Sequence, residues 1–401
     1  MTKRYVPVRG IRVFLWGRSV GAIVQHSPGY YAFEYDPDFL TSGWEIAPLK
    51  MPLRDGAGPY VFTEFGRNAF MGLPGVFADS LPDGFGNAVI NEWLRQCGVR
   101  AEDVTALDRL AYIGSRGMGA LTYEPERSPY GGKPFAIDMR QLTEKARRVF
   151  NNSLEKSSGD EALRAIIRVG VSAGGGKAKA VVGWNRETGQ FLAGDRDLPP
   201  GFEHWIIKFT PPEYPYRGTC EYEVMEKARR CGIDVCECRL YELDGLKHFM
   251  TRRFDREGSR RFHVQTLGAL AHLPPEGGTS RYSYDQVFMA IEGLGLGYEA
   301  MEQMFLRMAF NVYSDESDDH TKNFSFLMDE SGKWRLAPAY DLTGYHFSVE
   351  DKDFEAWSNP HALSVNGKTG LITDDDLLLV AERFGVGTAK RALKEIEEVL
   401  A

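Results

Sequence analysis

Short apolar runs broken by single polar positions open the chain. Ile11-Arg12-Val13-Phe14-Leu15-Trp16, the turn Gly17-Arg18-Ser19 and Val20-Gly21-Ala22-Ile23-Val24 read as a β-hairpin, and residues 30–35 as a further strand. The pattern then turns helical over residues 86–96, where Gly98 is placed to cap the C-terminus, and over 103–113, ahead of the glycine-rich turn 114–119. The polar stretch 151–159 marks an exposed boundary. Residues 160–255 mix short helices with β-rich runs such as 180–184 and 204–209, and from Tyr282 onward helical spacing dominates. Met301, Met304, Phe305, Met308 and Val312 form a stripe there that reads as core packing. The chain shows no internal repeat and no low-complexity tract.

Composition narrows the classes. The 401 residues suffice for two or three domains, and 43% hydrophobic with 26% charged residues argues against wholesale disorder. With 48 basic and 56 acidic residues, net −8, the chain lacks the basic face that coating nucleic acid requires. No apolar segment follows Met1-Thr2-Lys3-Arg4, and no uncharged stretch approaches the ~20 residues of a membrane span, so the chain reads as cytoplasmic with no membrane partner. Five cysteines, an odd number, fit a reducing compartment. Cys231, Cys236 and Cys238 lack a His pair at zinc-finger distance and read as small buried hydrophobes.

The chemistry concentrates between Asn311 and Asp341. A helix feeds the acidic loop 314–323, and two strand-like runs, 324–327 and 334–337, follow around an Asp329-Glu330-Ser331-Gly332 turn. A hairpin therefore carries Asn323 at its entrance and Asp341 at its exit. Asp318-x4-Asn323 has the spacing of a protein-kinase catalytic loop, and Asp341 follows where a second metal ligand belongs. Asn and Asp supply the hard oxygens that hold Mg²⁺ across phosphates, and a carboxylate such as Asp318 can take the proton of an attacking hydroxyl. An EF-hand fails here, because His320 and Phe326 stand where Gly and Glu are required. Upstream, residues 169–179 form a glycine-rich loop, Lys208 ends an apolar strand, and Glu221 opens a helix as its ion-pair candidate. The loop is not a Walker A motif, because it has one residue too many and no hydroxyl after Lys177. Gly170-Val171-Ser172-Ala173-Gly174 matches a hydrolase nucleophile elbow, but helix-like sequence precedes it and strand-like sequence follows, the reverse of an elbow. A serine hydrolase using Ser172 is the alternative from another class.

Taken in order, these residues resemble the HipA-like serine/threonine kinases of toxin–antitoxin systems, over nearly the whole chain. The resemblance rests on residues 77–83 and 112–121, the Gly174-Gly175-Gly176 loop, Ile207-Lys208-Phe209 and Arg253-Phe254-Asp255-Arg256. It continues through Asp318-Asp319-His320-x-Lys322-Asn323, Ala339-Tyr340-Asp341-Leu342 and residues 361–368. It implies an α+β, two-lobed protein-kinase-like fold with a mixed N-lobe (151–255), a mainly helical C-lobe (256–401) and an extra β-rich N-terminal subdomain (1–150). It implies Asp318 as catalytic base, Asn323 and Asp341 as Mg²⁺ ligands and Lys208 on the ATP phosphates. Ser172, Ala173, Gly174, Gly175, Gly176, Arg252, Phe254, Asp255, His320 and Lys322 complete the nucleotide set, with adenine on the backbone of 251–254. Ser172 is the candidate autophosphorylated serine. The implied partners are a helix-turn-helix antitoxin, DNA only through it, and a protein substrate carrying Ser or Thr, which in the best-known members is translation-related. Asp315 and Glu316 depart from the family by adding negative charge beside the metal ligands. A catalytically weak pseudokinase acting as the antitoxin's corepressor is the alternative within the fold.

Overall fold

The protein is described from a computed structural model covering residues 5–54, 56, 58–64, 69–82, 84–96, 98–127, 135–150, 178–194, 197–274, 281–343 and 360–401. Strand β1 (Gly10–Leu15) buries Ile11, Val13 and Leu15 on one face, as the two-residue period requires. It pairs antiparallel with β2 (Arg18–Ser27), which pairs with β3 (Tyr30–Tyr35); β4 (Leu121–Glu124) takes the other edge of β1. The β1–β2 turn is Trp16-Gly17, one position earlier than the sequence suggests. Both residues take positive φ, 48° and 79°, which suits a two-residue hairpin and is least strained for the glycine. Helices α1 (Gly84–Gln96), α2 (Ala106–Ile113) and α3 (Met139–Phe150) follow. Helix α2 starts at 106 rather than 103 because Thr105 and Asp108 form a reciprocal capping box, with N–H to side-chain distances of 2.9 and 3.1 Å. Gly98 takes φ 75° just past α1, the left-handed cap that its position requires.

A second sheet has the order β6-β5-β7-β9-β8, all antiparallel: β5 (Lys179–Trp184), β6 (Phe191–Ala193), β7 (Glu203–Lys208), β8 (Cys238–Leu243) and β9 (Leu246–Arg252). Helix α4 (Arg217–Arg230) packs on β8 and β9. After a short ribbon, β10 (Arg256–Glu257) and β11 (Arg260–Arg261), strand β12 (His263–Thr266) joins a third sheet. There β14 (Ser325–Met328) lies between β12 and β15 (Trp334–Leu336), while β13 (Tyr282–Ser283) pairs in parallel with β16 (Leu363–Ser364). Helices α5 (Tyr284–Gly293), α6 (Tyr298–Tyr313), α7 (Asp374–Arg383) and α8 (Ala389–Leu400) complete the C-terminal part.

Two large apolar cores result. One joins the N-terminal sheet and helices to the second sheet, with Phe33 and Leu107 in the same cluster as Val182, Trp205, Ile207 and Met250. The other fills the C-terminal helices, with Phe288, Met304, Met308 and Ile396 around α4 and the β14 hairpin. The methionine stripe of α6 is core: Met301, Met304, Phe305 and Met308 are buried, and Val312 packs against them partly exposed. Cys231, Cys236 and Cys238 are buried free thiols, and burial pushes their pKa values up to about 11, 12 and 11. Among the described residues no helix is long and apolar enough to cross a membrane.

Candidate active site

Lys208 closes β7 between Lys179 of β5 and Phe249 of β9, so its side chain emerges from a central strand rather than from a solvated edge. Its ammonium pairs with Glu221 on α4 and with Asp341. Helix α4 comes this close because residue 218 is glycine: a Cβ there would lie 2.2 Å from the Lys247 carbonyl oxygen and 2.6 Å from Thr210 Oγ1. Burial alone would lower the pKa of Lys208; the charges of Asp341 and Glu221 outweigh it and hold the pKa above the ordinary lysine range.

The β14–β15 hairpin brings up the other side. Asn323 lies just before β14, and its Nδ2 donates to the Asp318 carbonyl at 2.7 Å, which leaves Oδ1 as the hard donor atom. Past β15, residue 339 is fixed to the segment before β8: its N–H donates to Asp234 O at 2.8 Å, and Cys236 N–H donates back at 3.0 Å. Tyr340 Oη donates to the Lys322 carbonyl and accepts from Ser325 Oγ at 2.6 Å. Asp341, at φ 57°, is thereby turned toward Lys208.

These residues share one cleft, about 1370 Å³ out to its open mouth. Lys208, Asn323, Asp341, His320 and Lys322 line it, together with Arg252 at the end of β9 and Phe254 just after it. Arg252 also pairs with Glu203 and Glu237 at 3.5 and 3.6 Å, and the Phe254 ring lies 5.3 Å from that of Tyr340. Asp318 is not in the lining. Its side chain is 64% exposed, with Oδ1 3.9 Å from His320 Nε2, and its backbone is tied to the cleft through Asn323. Asp255, expected near the nucleotide, is fully buried away from the lining. Its carboxylate accepts from Arg253 (2.7 and 2.9 Å), Arg256 and Gly119 N (2.8 Å). Burial alone would raise its pKa; Arg253 and Arg256 outweigh it and hold the carboxyl far below the usual range. The glycine loop, with Ser172, Ala173, Gly174, Gly175 and Gly176, lies outside the described residues, as does the boundary 151–159.

Two features went unread in the sequence and one was misread. Asp79, Ser80, Leu81, Met118 and Leu121 of the N-terminal part form a wall of the same cleft. Asp79 is held there by Thr266, whose N–H and Oγ1 donate to it at 2.7 and 2.8 Å. The signal was present, since these residues lie in the stretches 77–83 and 112–121, but nothing local ties them to a site 200 residues away. Glu316, expected to add charge beside the metal ligands, instead points inward. It is 1% exposed, and its carboxylate accepts from Asp318 N (3.1 Å) and from Thr343 N and Oγ1. Asp319 is buried as well.

A mixed α/β chain with a lysine bound by two carboxylates in a cleft floored by a hairpin defines a class, and the comparisons identify it. Residues 11–124 match the family model of the HipA N-terminal domain and residues 171–401 that of the HipA-like C-terminal domain. The chain belongs to the HipA-like family. It is 24% identical over 411 residues to "Putative kinase Y4dM" of Sinorhizobium fredii, covering 96% of this chain and 90% of that protein. It is 27% identical over 355 residues to "Putative kinase Y4mE" of the same organism, covering 84% and 77%. In fold it is similar to HipA of Shewanella oneidensis MR-1, solved in complex with HipB and its operator DNA. The TM-score is 0.67 at 17% identity, over 97% of this chain and 90% of that one.

Proposed function

We propose that this chain is an ATP- and Mg²⁺-dependent serine/threonine protein kinase with a two-lobed, kinase-like arrangement about the cleft. The observation that carries the proposal is the Lys208 ammonium held between Glu221 and Asp341 in the same cleft as Asn323. That is the set that phosphoryl transfer uses to grip phosphates and a cation. Among the described residues no three His, Cys, Asp or Glu side chains gather as a metal cage. One carboxylate and one amide oxygen beside a phosphate tail suit Mg²⁺, which keeps waters and phosphate oxygens among its ligands. Asp341 and Asn323 would hold the ion, which neutralises charge on the phosphates. Lys208 would bind their oxygens, the strap 251–254 the base, and His320 and Lys322 the rim of the tail.

In the transfer, a substrate Ser or Thr oxygen bonds to the γ-phosphorus, the bond to the β–γ bridging oxygen breaks, and ADP leaves. Asp318 takes the hydroxyl proton. The exposure of Asp318 suits this role, because a protein hydroxyl must reach it from solvent. A chain of net charge −8 would meet DNA only through a basic helix-turn-helix antitoxin, and the Shewanella HipA with HipB and operator DNA supports that partner by family. The cytoplasm, where ATP and such partners lie, is the proposed location.

Calorimetric titration with Mg-ATP, paired with transfer of labelled phosphate, tests the reading. Asp318→Asn is expected to abolish transfer and leave nucleotide bound; Asp341→Asn is expected to weaken Mg-ATP binding itself. Binding without transfer in the parent chain, unchanged by Asp318→Asn, would make the protein a nucleotide-dependent corepressor instead. Loss of all nucleotide binding would discard both.

A further inference from the structure

The neighbouring aspartates of the acidic loop have opposite surroundings. Asp318 faces solvent, while the Asp319 side chain is fully buried and takes four donors. Its Oδ1 accepts from the backbone N–H groups of Ala362 (2.8 Å) and Leu363 (3.3 Å). Its Oδ2 accepts from Tyr284 Oη (2.7 Å) and His361 Nδ1 (3.1 Å). Tyr284 in turn accepts from Asn311 Nδ2 on α6 at 2.9 Å, and Ala362 N–H also reaches the Ser317 carbonyl at 3.1 Å. One carboxylate thus fastens the loop carrying Asp318 to α5 and to the strap 361–363, some forty residues further along.

We propose that Asp319 is a positioning residue for Asp318, and that the strap His361-Ala362-Leu363 is through it a working part of the transfer site. The inference rests on the kinase reading. Glu316 and Asn323 hold the Asp318 backbone from within the loop, and the Asp319 carboxylate adds the ties that fix the loop itself to the rest of the domain. A charge-assisted bond set of this kind is strong, and His361 is itself kept more basic by it: burial lowers the His361 pKa, and the Asp319 contact more than reverses that. Nothing in this network lines the nucleotide cleft, so its loss should act on the transfer step and spare nucleotide binding.

The test uses the full chain and measures kcat for transfer, Mg-ATP affinity and cooperative unfolding side by side. Asp319→Ala is expected to lower kcat roughly 100-fold, the scale of a misplaced reacting group, with Mg-ATP affinity within about twofold of the parent. Asp319→Asn can keep its carbonyl on the two backbone N–H groups and should fall between them. His361→Asn presents an amide nitrogen where Nδ1 donates and should hold kcat within a few-fold, whereas His361→Leu should lose about tenfold. If the parent transfers phosphate and Asp319→Ala keeps its kcat, the inference is overturned alone. If Asp319→Ala loses affinity and cooperative unfolding along with kcat, Asp319 is a folding residue and the inference is again overturned. A parent that binds Mg-ATP but transfers nothing overturns the kinase reading and the inference with it.

Discussion

Lys208 is 12% exposed at its side chain, Glu221 8% and Asp341 35%, so the two ion pairs differ in what they contribute. Removing one partner of a buried pair leaves an uncompensated charge and costs roughly 3–5 kcal/mol, whereas the Asp341 arm can be rehydrated and contributes less. Lys208→Met should therefore lower stability by about 3 kcal/mol in urea and abolish Mg-ATP binding. Adding Glu221→Leu should return most of the stability and none of the binding. A double variant as unstable as the single one would deny that Glu221 is the stranded charge. The Lys208–Glu221 pairing was legible because an apolar strand ending in lysine and a glutamate near the start of the next helix are local patterns, although α4 begins at Arg217, four residues ahead of the expected Glu221. Side-chain direction was not: D-x4-N spacing fixes the order of Asp318 and Asn323 but not which of them faces the cleft. Nor does Arg253-Phe254-Asp255-Arg256 reveal that its carboxylate turns inward to two arginines and a backbone N–H from residue 119.

At the scale of elements, the hairpin that carries the site was readable: runs expected at 324–327 and 334–337 are β14 (Ser325–Met328) and β15 (Trp334–Leu336), in register Phe326↔Leu336 and Met328↔Trp334. The third strand beside them was not, since β12 lies some sixty residues earlier and is too short for a period to declare itself. Helix α4 depends on a single missing side chain. Gly218 sits one turn before Glu221, against the Lys247 carbonyl and Thr210 Oγ1, which are themselves hydrogen-bonded at 2.7 Å. A methyl group there cannot be absorbed by a flexible side chain; the helix start must move off β9. Gly218→Ala should cost about 1–3 kcal/mol and, by drawing Glu221 from Lys208, weaken Mg-ATP affinity severalfold. The comparison is with Gly232→Ala, where φ is 79° and nothing lies within 4 Å of the added Cβ. That change should cost stability and leave affinity intact. Equal affinity in both variants would mean that α4 does not set the position of Glu221.

Across the whole molecule, four histidines are buried with their pKa values pushed well down, two where the N-terminal part meets the C-terminal part and two within the second sheet. His272 Nε2 accepts the Gly75 N–H at 3.1 Å, tying the N-terminal part to the turn after β12, and His263 Nε2 meets the Ile46 carbonyl at 2.9 Å. His248 Nδ1 accepts the Thr210 N–H at 3.0 Å on β9, and His204 Nδ1 meets the Gly194 carbonyl at 3.1 Å on β7. Burial is the leading cause in each, and it brings the pKa values down to about 3 for His204 and His272 and about 4 for His248 and His263. In the unfolded chain all four would titrate near 6.5, so below that pH the unfolded state binds protons that the folded state refuses, and stability must fall as pH falls. At pH 5 the cost is about 2 kcal/mol per histidine, and four together rival a typical total stability of about 5–15 kcal/mol. His361 opposes them, since its raised pKa gives stability below 6.5 that is lost as pH rises through the folded value, but it is one against four. Urea titrations should show stability dropping steeply from pH 7 to 5, with an uptake of up to about four protons on unfolding. In His272→Gln the amide oxygen can still accept the Gly75 N–H without titrating, so the slope should fall by about one proton. Stability that stays level between pH 7 and 5 would mean that these rings are not held neutral, and that the contacts they make open to water well before the chain unfolds.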